Sequence, residues 1–170
     1  MTHIADDFAA PTQIGANLEK LRFWGAALSQ LLLRIAIAVP FFRSGLTKWD
    51  GFLRLNESTD TLFAEEFKLH LFGAEYAYPA PHVMALISGS LEIAMPILLV
   101  LGLGTRLAAL VIIGMTAVIQ LTVPEGWANF HLLWAATALA IVVHGPGAIS
   151  LDAAIWRFFG RAHSERFLKS

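Results

Sequence analysis

Four stretches of this 170-residue chain run almost without charge. From Ala26 to Phe42 the sole charged residue is Arg34, and from Val83 to Leu103 it is Glu92. Leu107–Pro124 and Phe130–Ser150 hold no Asp, Glu, Lys or Arg at all. A helix needs about 20 mostly apolar residues to cross a ~30 Å hydrocarbon core. In lipid, only helices and closed barrels satisfy their own backbone polar groups. The rest of the composition agrees: 56% of residues are apolar and 15% charged, against about a quarter charged in a soluble domain. A chain this short cannot bury so much apolar surface in a water-soluble fold. The fold class expected is therefore all-α, a bundle of four transmembrane helices.

The spans fall at Trp24–Gly45, Val83–Leu103, Leu107–Val123 and Phe130–Val143. Residues 1–23 form an N-terminal segment, 24–147 the membrane domain and 148–170 a tail. Pro40 and Pro96 lie inside spans, where neighbouring helices can re-satisfy the freed carbonyls. The turns around Gly104–Arg106 and Pro124–Asn129 are short, so the last three spans are antiparallel neighbours. The first connection, residues 46–82, is long. Within it Thr61–Phe72 sets six large apolar residues among Glu65, Glu66 and Lys68, and is expected to form an interfacial helix over the outer mouth of the bundle. After Gly145-Pro146-Gly147, Ser150 is a natural N-cap for a short C-terminal helix, with Asp152 favourably placed in its first turn. Leu151, Ile155, Phe158 and Phe159 against Arg157 and Arg161 make this second interfacial helix amphipathic.

Orientation follows from Lys and Arg near the span ends. Lys20, Arg22, Arg106, Arg157, Arg161, Arg166 and Lys169 fall on one side; Lys48, Arg54 and Lys68 fall on the other, with Arg43 near the boundary. Both termini are thus expected in the cytoplasm and the chain in a bacterial inner membrane. The first residues, with Asp6 and Asp7 and no apolar run before Phe23, do not read as a signal peptide. Net charge is −1, which points to no nucleic-acid partner. The sequence has no cysteine, which excludes thiol–disulfide exchange, iron–sulfur clusters and Cys-ligated zinc.

A charged group in mid-membrane costs about 2.5–3.5 kcal/mol on insertion scales and reads as functional, with a partner. Arg34 lies ten residues into the first span and Glu92 about nine into the second from the opposite side, so an Arg34–Glu92 ion pair near the midplane is expected. Gln30, Arg34, Phe41, Gly45 and Lys48 fall within about 40° of one line on the first helix. Ser88, Glu92 and Pro96 share a face of the second, and Thr116 and Gln120 one of the third. These stripes fit a register-fixing clamp, a ligand pocket or a proton relay. Gln30, Arg34, Lys48, Glu92 and Gln120 are the candidate binding residues. His82 and His131, at the outer end, are the candidates for a metal site, with hydrogen-bonded interface histidines as the alternative.

Leu33-Arg34 followed by Phe41-Phe42-Arg43-Ser44-Gly45-Leu46-Thr47-Lys48 resembles the first helix of the DoxX family. So do Glu75-Tyr76 with Pro79-Ala80-Pro81, Glu92 with Gly102-Leu103-Gly104-Thr105-Arg106, and Gly145-Pro146-Gly147 with Ser150-Leu151-Asp152. The resemblance implies a four-helix membrane subunit tied to redox work. Members are described as the small subunit of a thiosulfate:quinone oxidoreductase, or as membrane partners of redox and detoxification enzymes. It supplies no agreed catalytic set. The function expected is a subunit, quinone-binding or non-catalytic, of a quinone-linked oxidoreductase or redox/detoxification complex, with quinone as cofactor. Its partners would be the bilayer, other membrane or peripheral redox proteins, or a second copy of the chain. The alternative is a non-catalytic anchor or accessory subunit of a larger membrane complex.

Overall fold

The computed structural model describes residues 13–51 and 54–167, without side-chain detail for 160–167. Residues 1–12 of the N-terminal segment and Lys169 of the tail lie outside it. Helix α1 (Gln13–Leu46) leads into a short pairing of β1 (Trp49–Gly51) with β2 (Arg54–Leu55). Helix α2 (Glu57–Thr61) and a π-helical turn (Leu62–Glu66) follow, then a hairpin of β3 (Lys68–Leu71) and β4 (Ala74–Ala77). The long helices α3 (Pro81–Leu101) and α4 (Thr105–Thr122) come next. The fourth span starts with short turns from Pro124 and becomes α5 (Leu132–His144); α6 (Leu151–Phe167) closes the chain.

Among the described residues, four segments are long and apolar enough to cross a bilayer: Gln13–Leu46, Pro81–Leu101, Thr105–Thr122 and Pro124–His144. Their apolar surface points two ways. Ile37, Phe41, Leu99, Ala108, Ala109, Ile112, Ala138 and Ile141 form the buried core between helices. Leu32, Val39, Leu107, Leu110, Leu133, Leu139 and Val143 stay exposed on the outside, far more apolar surface than a soluble monomer leaves bare. The chain is an integral membrane protein. Without a hydrophobic drive between helices in lipid, close backbone approach holds the bundle. A Cβ on Gly45 would sit 2.9 Å from the Glu92 backbone, and one on Gly89 3.0 Å from the Trp49 ring.

The loop departs from expectation. Thr61–Phe72 is not one helix: helical structure stops at Glu66, and Lys68–Leu71 is a strand. The hairpin turns at Phe72-Gly73, both with positive φ (52° and 81°), the conformation a two-residue type I′ turn requires. The loop does cover the bundle: Phe63 and Tyr78 are buried with Ala85, against Leu55, Phe67, Leu69 and Met84. At the other end, the expected cap forms, with Ser150 Oγ accepting from Ala153 N at 3.1 Å.

The first helix also begins earlier than its hydropathy suggests. Its 34 residues span about 51 Å, while the 21 of α3 span about 32 Å. Helix α1 therefore overhangs the bundle at the end where α3 turns into α4.

Candidate functional site

Overhang decides which partner each intramembrane charge finds. Gly45 packs on the backbone of Glu92, so Glu92 lies level with Gly45, eleven residues from Arg34 in sequence, or about 16 Å along the helix. The expected Arg34–Glu92 ion pair does not form. Arg34 sits instead at the end of α3, and Glu92 takes Lys48.

Arg34 is fully buried and holds the last turn of α3. Its Nη1 donates to the Leu99 and Val100 carbonyls at 3.2 and 3.5 Å, Nε to Gln30 O at 3.4 Å, and Nη2 to Ile149 O. The last carbonyls of a helix have no partner within it and carry the negative end of its dipole, which a cation satisfies. Beyond the tight turn at Gly102–Gly104, Asp152 does the reverse for α4. Its carboxylate accepts from Gly104 N (2.8 Å), Thr105 N (3.0 Å) and Thr105 Oγ1 (2.8 Å), and its own N–H donates to Gly102 O at 2.9 Å. Burial alone would raise the Asp152 carboxyl. The donors from Thr105 and Gly104, with the nearby Arg34 charge, outweigh it and hold the group below the ordinary carboxylate value. Arg34 and Asp152 thus form a clasp that ties α6 to the α3–α4 turn. Gln30 lies beside this clasp, against Gly147.

The other ion pair lies against open space. Lys48, just past the end of α1, reaches back so that Nζ donates to Glu92 Oε2 at 2.6 Å and to Ser44 Oγ at 3.1 Å. Ser88 Oγ donates to Glu92 Oε1 at 3.3 Å. The Lys48 and Glu92 side chains are 14% and 5% exposed. Both line a cavity of about 600 Å³ bounded mainly by α3 and α4. Phe63, Phe67 and Tyr78 of the loop close one end, and Trp134 of α5 lies in its wall. The remaining lining is aliphatic apart from Ser44, Ser88, Tyr78 and Thr122. Tyr78 Oη lies 2.5 Å from Thr122 Oγ1. That hydroxyl gives its hydrogen to Val118 O at 2.9 Å, so Tyr78 donates.

Of the five binding candidates, the structure gathers Lys48 and Glu92 at one cavity and leaves three outside its lining. Arg34 and Gln30 belong to the clasp. Gln120 accepts from the buried His131 Nδ1 at 2.6 Å and donates to Pro124 O at 3.1 Å, which places the His131 proton on Nδ1. His82 donates to Asp60 at 2.8 Å. Among the described residues no group of three or more His, Cys, Asp or Glu side chains comes together as a metal site. Sequence reasoning missed Tyr78, Thr122 and Trp134, which come from distant segments with no shared periodicity. Ser88 could be found, because it stands one turn from Glu92 on the same face.

The DoxX family model matches residues 29–125, more than half of the chain. An uncharacterized protein of Haemophilus influenzae is 29% identical over 164 residues, covering 88% of this chain and 97% of that protein. No solved structure matches.

Proposed function

This chain belongs to the DoxX family, and on that premise we propose that it is a membrane subunit of a quinone-linked oxidoreductase or redox-detoxification system, holding a quinone head group at Lys48 and Glu92. The single observation that carries this reading is the buried ion pair facing an apolar, ligand-sized cavity within the spans. Cavities of ~300–1,000 Å³ with apolar walls and a few convergent polar groups are the ordinary form of a small-molecule site. The residues fit a quinone. The Lys48 ammonium can donate to a carbonyl oxygen, the Glu92 carboxylate can accept a hydroxyl proton, and Ser44 and Ser88 extend the pair into a short line of exchangeable protons. A quinone bound there would supply the two-electron chemistry. The chain has no cysteine to ligate a thiolate-bound centre, and in this reading the electrons come from a partner redox protein or a bound cofactor.

Four crossings put both termini on one side, and the Lys and Arg distribution makes that side the cytoplasm of a bacterial inner membrane. The Arg34–Asp152 clasp then faces inward, and the loop-covered cavity opens nearer the outer face.

Trp134 supplies the assay, because a bound quinone quenches a tryptophan in van der Waals contact. Protein purified in mild detergent should carry extractable quinone and show saturable quenching by added quinone, with the signal reduced in Trp134→Phe. Absence of both quinone and saturable quenching would overturn the proposal and favour a non-catalytic anchor.

A further inference from the structure

The walls of the cavity differ in what lies behind them. Toward the bundle interior it meets Ser44, Lys48 and Trp134, and toward the loop Phe63, Phe67 and Tyr78. Between α3 and α4 the lining residues also belong to the outer surface. Ile87 is 46% and Val118 40% exposed, and Gly114 is exposed, with nothing within 4 Å of a Cβ added there. Gly114 lies near the middle of α4, one turn from Val118 and on the same stripe as Val111. At this depth the surface outside a spanning helix is acyl chain, not water.

Size points the same way. About 600 Å³ holds a drug-sized body, which means a head group with a short length of chain. A longer chain has to leave, and the aliphatic gap at Ile87, Gly114 and Val118 is a route that strands no polar group.

We propose that this gap between α3 and α4 is a lateral portal, through which the isoprenoid tail of a quinone runs from the cavity into the bilayer. The site then draws its ligand from the membrane and leaves the tail there. The glycine has a role: a helix interior disfavours Gly by roughly 1 kcal/mol relative to Ala, yet any side chain at 114 would stand in the opening. The inference rests on the quinone reading of Lys48 and Glu92, and the two fail differently.

The test compares Gly114→Phe with the wild type in lipid nanodiscs, titrating Trp134 quenching with a tail-less benzoquinone and with tailed homologues of increasing length. Leu107→Phe, on the exposed surface of the same helix, is the control for a lipid-facing phenylalanine. Wild-type and Leu107→Phe proteins should bind tailed homologues more tightly than the tail-less one. Gly114→Phe should weaken the tailed homologues by about tenfold, near 1.4 kcal/mol, and the tail-less one by less than twofold. Tailed binding unchanged in Gly114→Phe, or equal loss for both ligands, overturns the portal while the head-group site stands. Quenching of the wild type by neither ligand overturns the head-group site, and the portal with it. Portal blockage without destabilisation is checked by thermal unfolding of the variant, which should match or exceed the wild type.

Discussion

Removing the charges at Lys48 and Glu92 one at a time and then together separates a structural clamp from a binding site. Glu92→Gln leaves a lysine ammonium that keeps Ser44 at 3.1 Å and retains 14% exposure, so it can turn partly toward the loop end. Lys48→Met leaves a carboxylate 5% exposed with only the Ser88 hydroxyl at 3.3 Å. Stranding one partner of a buried pair costs about 3–5 kcal/mol. Lys48→Met should fall in that range, and Glu92→Gln nearer ~2 kcal/mol because its stranded charge, on a flexible stem, has more access to water than the carboxylate. The double variant strands nothing. Replacing a buried pair with groups of similar volume is often neutral, so it should recover to within about 1 kcal/mol of wild type, a coupling of roughly 4–7 kcal/mol. Unfolding by SDS titration from mixed micelles, followed by circular dichroism, reads these differences. On the same samples, quinone quenching of Trp134 reads function. The refolded double variant should have lost saturable quenching although its stability has returned. Wild-type binding in that stable double variant would refute the reasoning and reduce Lys48–Glu92 to a clamp.

Arg34→Met should cost about 2–4 kcal/mol, combining one charge-assisted hydrogen bond to Ile149 with the lost cation at the end of α3. It should also increase maleimide labelling of a cysteine placed at Ile155, and unchanged labelling would argue against the clasp. Asp152 sets an acid limit. Its folded carboxyl titrates below the unfolded value, so its contribution is fully present above about pH 3.9 and is lost as pH falls through the lower, folded value. Stability of Asp152→Asn measured from pH 6 to 3 should therefore be lower than wild type at the top of the range and converge on it at the bottom; parallel curves would exclude the linkage. The proposed orientation predicts that a membrane-impermeant thiol reagent on intact spheroplasts labels Phe72→Cys at the exposed hairpin tip and spares Trp156→Cys on α6. The cysteine-free background makes the reverse pattern unambiguous.

What the sequence could disclose depended on how far each interaction reached. Span positions were legible because each is a local sum of transfer free energies, and the observed helices begin and end within a few residues of the expected α3, α4 and α5. The start of α1 was not. Ile14, Leu18 and Leu21 lie among Glu19, Lys20 and Arg22, so hydropathy falls where the helix continues. The depth of Arg34 was hidden for a different reason. The outer ends of α1 and α3 do not stand level, since Gly45 at the end of α1 packs against Glu92 in the middle of α3. Two charges about 16 Å apart along the bundle therefore looked level. The hairpin was readable in part: Leu69 and Leu71 alternate with Lys68 and His70, the period of a strand. Expecting one continuous amphipathic helix obscured it.

The exchange of partners has a physical logic. A guanidinium has five donors in a fixed fork and cannot shed its charge, so the site it suits best offers several carbonyls in different directions. Those are found where a helix ends, not where it runs. Arg34 meets carbonyls of α3, of its own helix and of the α6 approach at one such end. An ammonium on a flexible four-carbon stem is a compact point charge, and Lys48 can reach past the end of its own helix to a carboxylate deeper in the bundle. The geometry thus assigns the multidentate cation to architecture and leaves the simple one, with its carboxylate, beside the cavity. Glu92, in the middle of α3, is the carboxylate that faces that cavity.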